Sequence, residues 1–336
     1  MKKADNPEKP VGITLGDPAG VGPEILVLGM DSSEIFRSGE KFVIVGHEKP
    51  LRRAQKALGI DLSYEKVSLP LEGELPPVAL LEPGDVEFPE KVAPGKPDPD
   101  SGWLSYRYLE IAAGLAVEGR FKALVTLPVS KSFIARRVPD FRGHTEYLQQ
   151  KTGAGDVRMM LGTEGLRIAL ATTHLPLGEV PGLLTVKLIS DTIRITHDAL
   201  KLWLHRNPLI VVCALNPHAG DSGLLGDEEN DVILPGVIHA ESLGCQCVGP
   251  YPADTALAMT AEGRYDAAVA MYHDQALIAL KLTHPNRGAN ITLGLPFVRT
   301  SPLHGTGFDI AGKGIAVENS FVDALKSALV LAERQS

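Results

Sequence analysis

Three histidines each follow an apolar segment that has the composition of a buried β-strand. RIALATT precedes His174, LIVVCALNP precedes His218, and DAAVAMY precedes His273. A single histidine in such a position usually makes only a hydrogen bond. Three in equivalent positions are expected to meet, because the strands of a parallel sheet end at one edge. Three imidazoles with an open fourth position are typical of a catalytic metal site, so the pattern predicts a shared divalent ion.

Two residues beside the third histidine could support this site. Asp274 and Gln275 directly follow His273 and could orient that ligand or complete the coordination of the metal. Cys245 and Cys247 form a C-x-C pair, which lacks the ligand spacing of structural zinc sites. The predicted metal is therefore assigned to the histidines.

A second group of polar residues could bind an anion. His144 and Thr145 lie in FRGHTEYL, where Thr145 could cap a helix whose first N–H groups favour negative charge. Lys281, Asn290 and Arg299 each stand at the edge of an apolar segment. Taken singly, such residues are typical of helix caps or of a solvated surface. Together they could bind a phosphate or a carboxylate, because arginine offers a planar pair of donors and lysine a point charge.

Two glycine-rich segments could approach a nucleotide. SPLHGTGFDIAGKG, residues 301–314, would let backbone N–H groups reach a phosphate, unless it is only a turn-rich connection. GITLGDPAGVGPEI, residues 12–25, has the outline of a phosphate loop. Its glycines follow the spacing G-x-x-x-G-x-G, which fits neither the dinucleotide fingerprint nor the G-x-x-x-x-G-K-[ST] loop. This segment is predicted to be a tight turn, with Pro23 and Glu24 in the first turn of the helix that follows.

The elements that must position these residues alternate between strands and helices. Short apolar segments predict strands at VGITL, KFVIVG, KALVTLPV, RIALATT, LIVVCALN, DAAVAMY and ANITLG. Helical spacing of apolar residues occurs at 103–119, at 185–206 and in the last segment, ENSFVDALKSALVLAERQ. Residues 84–102, rich in Pro, Gly and Asp, are predicted to form a long surface loop. This alternation favours an α/β fold with a doubly wound, mostly parallel sheet.

The composition limits the partners and the location of the protein. The chain has 336 residues, 44% hydrophobic and 22% charged, which is ordinary for a globular protein of one or two domains. Its net charge of −8 gives no general attraction to nucleic acid or to an anionic membrane. No apolar run approaches the length of a membrane span, and MKKADNPEKP lacks the apolar core of a secretory signal. Three cysteines fit a reducing cytoplasm, where the protein is expected to act.

The motifs taken together resemble one enzyme family. LGDPAGVGPEI, LVTLPVSK, GHTEYL, TTHLPL, NPHAG, YHDQALIALK and NITLGLPFVRTSPLHGTGFDIAGKG occur in order over nearly the whole chain. They resemble the 4-hydroxythreonine-4-phosphate dehydrogenases of pyridoxal phosphate biosynthesis. The resemblance implies a two-domain, doubly wound α/β sheet fold of the isocitrate/isopropylmalate dehydrogenase type, with the active site in the interdomain cleft. The first domain would contain 1–127 plus 282–336 and the cofactor segment, and the second, 128–281, the metal ligands and dimer contacts.

The family resemblance also implies roles for individual residues. One divalent ion per subunit, of Zn, Mg, Co or Mn, would be bound by His174, His218 and His273. The substrate would contact His144, Thr145, Lys281, Asn290 and Arg299. NAD or NADP would lie against His304–Gly312, with contacts from His304, Gly305, Thr306 and Asp309. The enzyme would be a homodimer with shared active sites, and its proton acceptor is left open between Asp274, Lys281 and a lysine of the partner subunit.

The reaction implied by the resemblance is an oxidation. With NAD(P), 4-phosphooxy-L-threonine would give 2-amino-3-oxo-4-phosphooxybutanoate, which loses carbon dioxide to form 3-amino-2-oxopropyl phosphate. A sister dehydrogenase could use the same residues on a phospho-sugar acid, such as 4-phospho-threonate or erythronate, or on a cyclic diol acid. A zinc hydrolase would use the three histidines and no nicotinamide. A simple binding module is the third alternative.

Overall fold

The structure is a computed structural model that describes residues 9–71, 73–163 and 165–335. The chain divides into two compact units. Of the described residues, the first unit contains those from 9 to 153 together with Leu295–Glu333, and the second contains those from 154 to 294 with residues 334–335. Each unit combines a β-sheet with α-helices, so the predicted α/β class is confirmed.

The described residues form twelve β-strands and eleven α-helices. The strands are β1 (Val11–Thr14), β2 (Phe42–Val45), β3 (Glu65–Val67), β4 (Val78–Leu81), β5 (Ala123–Thr126), β6 (Arg158–Thr163), β7 (Leu166–Leu170), β8 (Leu209–Cys213), β9 (Gln246–Tyr251), β10 (Ala267–Ala270), β11 (Ala289–Leu293) and β12 (Val298–Pro302). The helices are α1 (Gly22–Ser32), α2 (Glu48–Leu58), α3 (Pro99–Val117), α4 (Lys131–Ile134), α5 (His144–Thr152), α6 (Val180–Leu183), α7 (Val186–Leu204), α8 (Leu234–Ser242), α9 (Ala253–Ala261), α10 (His273–Thr283) and α11 (Asn319–Gln335).

Parallel strands form the sheet of the first unit, in the order β3-β4-β2-β1-β5-β12. Val11 of the central strand β1 lies opposite Phe42 of β2 and Ala123 of β5. Every residue of β1, β2, β4 and β5 is buried. A parallel sheet is covered on both faces, which explains why these strands are apolar at consecutive positions.

The second unit has a mixed sheet in the order β11-β6-β7-β10-β8-β9. Strands β7, β10, β8 and β9 are parallel, whereas β6 runs antiparallel to both β7 and β11. The expectation of a mostly parallel sheet therefore holds, with β6 as the exception. Because β10 lies between β7 and β8, three neighbouring strands end at one edge, and each is followed by a predicted metal ligand.

The segments predicted as strands and long helices are all present, with shifted ends. Helix α3 begins at Pro99, before the predicted residue 103, because Asp98 caps it by accepting hydrogen bonds from the N–H groups of Asp100 (2.9 Å) and Ser101 (2.8 Å). The sequence pattern missed β3, β4, β6, β9 and β12. Several of these strands lack an apolar run because they carry polar or turn-forming residues. Strand β3 has the sequence EKV, and β12 has the sequence VRTSP.

The structure also bears on the composition-based expectations. Within the described residues, no helix has both the length and the apolar character needed to cross a membrane. Cys213, Cys245 and Cys247 are buried free thiols. Burial raises the pKa of Cys213 and Cys247 to about 12, so both are thiols at neutral pH.

Candidate active site

The ends of neighbouring strands bring two of the predicted metal ligands together. His174 follows β7, and His273 is the first residue of α10, shortly after β10. Their ring centroids are 5.3 Å apart, with 44° between the ring planes. Two imidazoles that bind one ion through nitrogens about 2.1 Å from it have centroids about 5 Å apart. This pair therefore fits a shared divalent cation.

The residues after His273 fix its ring and the strand ends. Nδ1 of His273 lies 2.6 Å from Oδ1 of Asp274. A carboxylate that accepts the Nδ1 proton leaves Nε2 with a lone pair, which is the tautomer that binds a metal. Gln275 plays a different part, since its Oε1 accepts from the Met271 N–H at 2.7 Å and its Nε2 donates to the Ala214 carbonyl at 2.8 Å. Gln275 thus ties the end of β10 to the end of β8.

His218 lies in a loop with left-handed backbone after β8. The φ angles of His218, Ala219, Gly220, Asp221 and Ser222 are 54°, 54°, 77°, 43° and 59°. This conformation is costly for residues that carry a Cβ, so surrounding contacts must hold it. Among the residues that the structure describes, no group of three His, Cys, Asp or Glu side chains could hold a metal. Within these residues, His218 and the His174–His273 pair therefore do not form a three-ligand group.

A buried acid, Glu229, holds this loop in place. Its Oε1 accepts from the N–H groups of Leu215 (2.9 Å) and Asn216 (2.7 Å), and its Oε2 accepts from the Asn216 side-chain amide at 3.0 Å. A Cβ on Gly220 would lie 2.7 Å from Glu229 Oε2, so the loop passes directly over the carboxylate. Glu229 cannot be recognised from the sequence, because an acid within GDEEN resembles any surface acid. Only its 3% exposure distinguishes it.

The start of α5 in the first unit has no side-chain cap. The helix begins at His144, after the N-cap residue Gly143, which has no side chain with which to cap it. The prediction that Thr145 caps this helix is therefore wrong, because the N-cap is Gly143, two residues earlier, and Thr145 lies in the first turn. The N–H groups at the start of a helix favour an anion, so this segment could still bind one.

Arg299 adds a buried charge, and His144 adds a neutral ring. Arg299, 2% exposed in β12, donates through Nε and Nη2 to Thr126 Oγ1 at 3.1 Å and 2.6 Å. Burial lowers the pKa of Arg299 to about 10, so the guanidinium is protonated at neutral pH. Burial holds the pKa of His144 well below its usual value, and the positive charges of Arg299 and Lys131 add to this shift, so the ring is neutral. We define the α5 cluster as Lys131, Gly143, His144, Thr145 and Arg299.

The two other predicted substrate ligands lie in the second unit. Lys281 is exposed in the last turn of α10. Asn290 lies in β11, opposite Leu161 of β6. Within the described part of the chain, the buried Oδ1 of Asn290 has no hydrogen-bond partner. A buried amide oxygen without a donor is costly, and a ligand that donates to it would remove that cost.

The glycine-rich segment His304–Gly312 rests on the loop near the start of the chain. The Val21 N–H donates to the Thr306 carbonyl at 2.9 Å, and a Cβ on Gly20 would lie 2.7 Å from the same oxygen. Glu24, buried in the first turn of α1, accepts from the Gly312 N–H at 2.7 Å. The loop thus makes its contacts with the protein itself, in agreement with a tight turn and not a phosphate loop.

Within this segment, Gly305 is the open point. Gly305 is exposed, and a Cβ built on it meets nothing within 4 Å. His304 Nδ1 lies 2.9 Å from the Gly305 carbonyl oxygen, and His304 Nε2 is buried with no partner among the described residues. Asp309 is exposed. Backbone and side-chain groups of this segment are therefore available to a ligand.

A further buried acid, Asp17, shapes the supporting loop. Asp17 is fully buried, and its Oδ1 accepts from the Ala19 N–H at 3.0 Å. Burial raises the pKa of Asp17 to about 6. Asp17 was not among the predicted site residues. An Asp that accepts a hydrogen bond from the backbone two residues further on is a recognised turn former, and the sequence D-P-A-G is typical of such a turn.

These features define a class of protein. Both units are α/β, histidines and acids follow the strand ends of one unit, and a cationic cluster lies in the other. The fold is of the isocitrate/isopropylmalate dehydrogenase type, as the solved structures that it matches confirm. The chain belongs to the family of pyridoxal phosphate biosynthetic protein PdxA, whose family model matches residues 38–328. The predicted family is therefore confirmed.

Individual relatives agree with this assignment. The chain is 41% identical over 334 residues to a 4-hydroxythreonine-4-phosphate dehydrogenase of Geobacter metallireducens, covering 97% of this chain and 95% of the relative. It is 38% identical over 331 residues to a "Putative D-threonate 4-phosphate dehydrogenase" of Oceanobacillus iheyensis, covering 97% and 98%. A crystal structure of 4-hydroxythreonine-4-phosphate dehydrogenase from Klebsiella pneumoniae is 36% identical, with a TM-score of 0.85 and coverage of 96% and 99%. The relatives named here are dehydrogenases, which favours that class over the hydrolase and binding-module alternatives.

Proposed function

We propose that the protein oxidises 4-phosphooxy-L-threonine with NAD(P) in the biosynthesis of pyridoxal 5'-phosphate. The product, 2-amino-3-oxo-4-phosphooxybutanoate, then decarboxylates to 3-amino-2-oxopropyl phosphate. The observation that carries this proposal is the 41% identity to the Geobacter enzyme over nearly the whole chain. The α5 cluster supports it, because a chain with a net charge of −8 needs a local excess of positive donors to bind a phosphorylated acid.

His174, His273 and His218 are proposed to hold one divalent ion, of Zn, Mg, Co or Mn. The 5.3 Å separation of the first two rings and the contact between His273 and Asp274 support this donor set. A bound divalent cation supplies Lewis acidity, which lowers the pKa of a substrate hydroxyl. Asp274 holds the His273 ring in the tautomer with a free Nε2 lone pair. Asp274 and Lys281 remain the proposed acceptors of the hydroxyl proton.

The substrate is proposed to bind through His144, Thr145, Lys281, Asn290 and Arg299. Arg299 is buried whereas Lys281 is exposed, and Thr126 fixes the Nε and Nη2 of Arg299. A charge-assisted bond from such a preorganised guanidinium is stronger than one from a mobile surface group. The neutral His144 can donate or accept a hydrogen bond without adding a second charge.

The nicotinamide nucleotide is proposed to lie against His304–Gly312, with contacts from His304, Gly305, Thr306 and Asp309. Gly305→Val is expected to raise the apparent Michaelis constant for NAD at least about tenfold, because the added side chain fills the space that a cofactor would occupy. The structure leaves room for this side chain, so the fold should survive. Steady-state kinetics with NAD and the phosphorylated acid varied in turn gives the apparent Michaelis constant for each. The constant for the acid should change less than the constant for NAD.

A matched glycine separates this effect from a loss of stability. A Cβ placed on Gly84 also meets nothing within 4 Å, and Gly84→Val should bind NAD like the wild type. In contrast, Gly307 at φ 54° has Val21 Cγ1 2.9 Å from its Cβ position, so valine there should unfold the segment. Unchanged NAD affinity in a folded Gly305→Val protein would mean that the cofactor binds elsewhere.

The second unit is proposed to supply the contacts of a homodimer with shared active sites. Helix α8 exposes Leu234 and Ile238, and helix α10 exposes Ile278 and Leu282, with exposed fractions of 38%, 55%, 60% and 79%. The members of each pair are four residues apart and share one helix face. Large apolar side chains on exposed helix faces are characteristic of subunit interfaces.

Nicotinamide absorbance tests the function directly. The purified protein, NAD or NADP and a divalent metal are mixed with 4-phosphooxy-L-threonine, D-threonate 4-phosphate, erythronate 4-phosphate or a cyclic diol acid. We expect the highest kcat/KM for 4-phosphooxy-L-threonine, with release of carbon dioxide. A higher kcat/KM for D-threonate 4-phosphate would instead assign the protein to the activity named for its Oceanobacillus relative.

A further inference from the structure

The α5 cluster contains a lysine that the predicted substrate ligands do not include. Lys131 is the first residue of α4 and is exposed. Its side chain reaches the start of α5, because a Cβ built on Gly143 would lie 3.1 Å from Lys131 Nζ. Among the described residues, no carboxylate forms an ion pair with this ammonium group. Lys131 thus brings a positive charge to the helix start.

A buried imidazole nitrogen and the first N–H groups of α5 lie near Lys131. His144 Nε2 is buried and has no hydrogen-bond partner among the described residues. The first N–H groups of α5 have no side-chain cap. The positive charges of Arg299 and Lys131 both lower the pKa of His144, and Lys131 Nζ lies 3.1 Å from the Cβ position of the preceding residue, Gly143. An anion bound at this helix start would be attracted by both positive charges.

A carboxylate of the chain already occupies part of this field. Glu146 lies in the first turn of α5, and its Oε2 would be 2.7 Å from a Cβ on Gly143. The negative charge of Glu146 also raises the pKa of Arg299, against the effect of burial. Glu146 is exposed, so its side chain can turn away into solvent. A phosphate that enters the cluster would compete with Glu146 for the same donors.

We infer that Lys131 is a phosphate-binding residue and that the phosphate end of the substrate lies at the start of α5, beside His144 and Arg299. This inference rests on the proposed function, which gives the substrate its phosphate. A phosphate monoester carries close to two negative charges at neutral pH, whereas a carboxylate carries one. The second cation of the cluster therefore selects phosphate over carboxylate.

A titration with inorganic phosphate tests the inference without turnover. Binding to the full-length protein is measured by calorimetry. Lys131→Ala should weaken phosphate binding roughly tenfold, because a charge-assisted contact is lost. Glu146→Gln should strengthen it, because the competing carboxylate is gone. Lys151→Ala is the matched control, since Lys151 lies at the other end of α5 and its loss changes the net charge equally.

The His144 ring provides a readout that a purely structural role for Lys131 would leave unchanged. By NMR titration, Lys131→Ala should raise the pKa of His144, and Lys131→Arg should restore the wild-type value. In turnover, the ratio of kcat/KM for phosphorylated over unphosphorylated acid should fall about tenfold in Lys131→Ala.

Two outcomes would overturn the inference. One is wild-type protein that binds no phosphate, and the other is Lys131→Ala that binds phosphate as tightly as the wild type. The proposed function fails separately, if the protein reduces no NAD(P) with a phosphorylated acid. In that case the phosphate titration still decides the role of Lys131.

Discussion

Replacing His273 with alanine is expected to lower turnover by more than about 100-fold and to abolish tight binding of a divalent metal. The loss of a group that only orients a ligand already costs roughly 10- to 100-fold in metal affinity or activity, so the loss of the ligand itself should cost more. His273 has a neighbouring second imidazole and a carboxylate that orients its ring. The ring centroid of His273 is 5.3 Å from that of His174, and Oδ1 of Asp274 lies 2.6 Å from Nδ1 of His273. Metal content after dialysis and calorimetric titration with Zn²⁺ or Co²⁺ measure the first effect, and NADH formation measures the second.

Other variants of the same helix and loop give this experiment its contrast. Asp274→Asn keeps the ligand and should lose only about 10- to 100-fold. His284→Ala, at the far end of α10, should bind metal and turn over like the wild type. His218→Ala tests the third proposed ligand separately, because His218 lies in its own loop after β8. Full metal content and full activity in His218→Ala would remove it from the donor set.

Arg299→Ala is expected to reduce kcat/KM for the phosphorylated acid by about 2–5 kcal/mol, or roughly thirty-fold to several-thousand-fold. The side chain is 2% exposed and is held by Thr126, so its charge acts on an anion with little screening by water. Most of the loss in kcat/KM should appear as a higher apparent Michaelis constant for the phosphorylated acid. The constant for NAD should hardly change, because Arg299 is not among the proposed cofactor contacts.

Conservative and neutral replacements separate charge from shape. Arg299→Lys should still impair binding, because a point charge cannot replace a planar pair of donors. Arg299→Met keeps much of the buried volume, so urea unfolding of this variant shows whether the fold survives. Lys281→Ala, on an exposed turn of α10, should have a smaller effect on affinity. If Arg299→Ala and Lys281→Ala both keep the wild-type preference for the phosphorylated acid, neither side chain binds the phosphate.

The strands and helices with strong apolar patterns could be predicted, and those with polar residues could not. Strands β1, β2 and β5 are buried on both faces, and such strands have apolar residues at consecutive positions in the sequence. Strand β12 is also buried, but it carries Arg299 and neighbouring hydroxyl residues. Their burial depends on partners such as Thr126, which come from a distant part of the chain.

The sequence by itself determined the family, the α/β class and the three strand-end histidines, because short motifs and local apolar patterns indicate each of them. It could not determine which histidines meet. That depends on the order β7-β10-β8 and on a left-handed loop that Glu229 holds over the end of β8. The pairing of strands and the burial of an acid are set by contacts far apart in the chain, which local pattern does not record.

The supporting residues show this most clearly. Glu24 accepts a hydrogen bond from Gly312, 288 residues away, and only the folded chain places that acid under the candidate cofactor segment. Lys131 is one of many exposed lysines by its sequence context, and its position over Gly143 is what gives it a role. A charged side chain in a sequence has the same chemistry wherever it occurs. Its neighbours, its burial and hence its pKa and function arise only when the tertiary structure brings distant groups within a few ångströms of it.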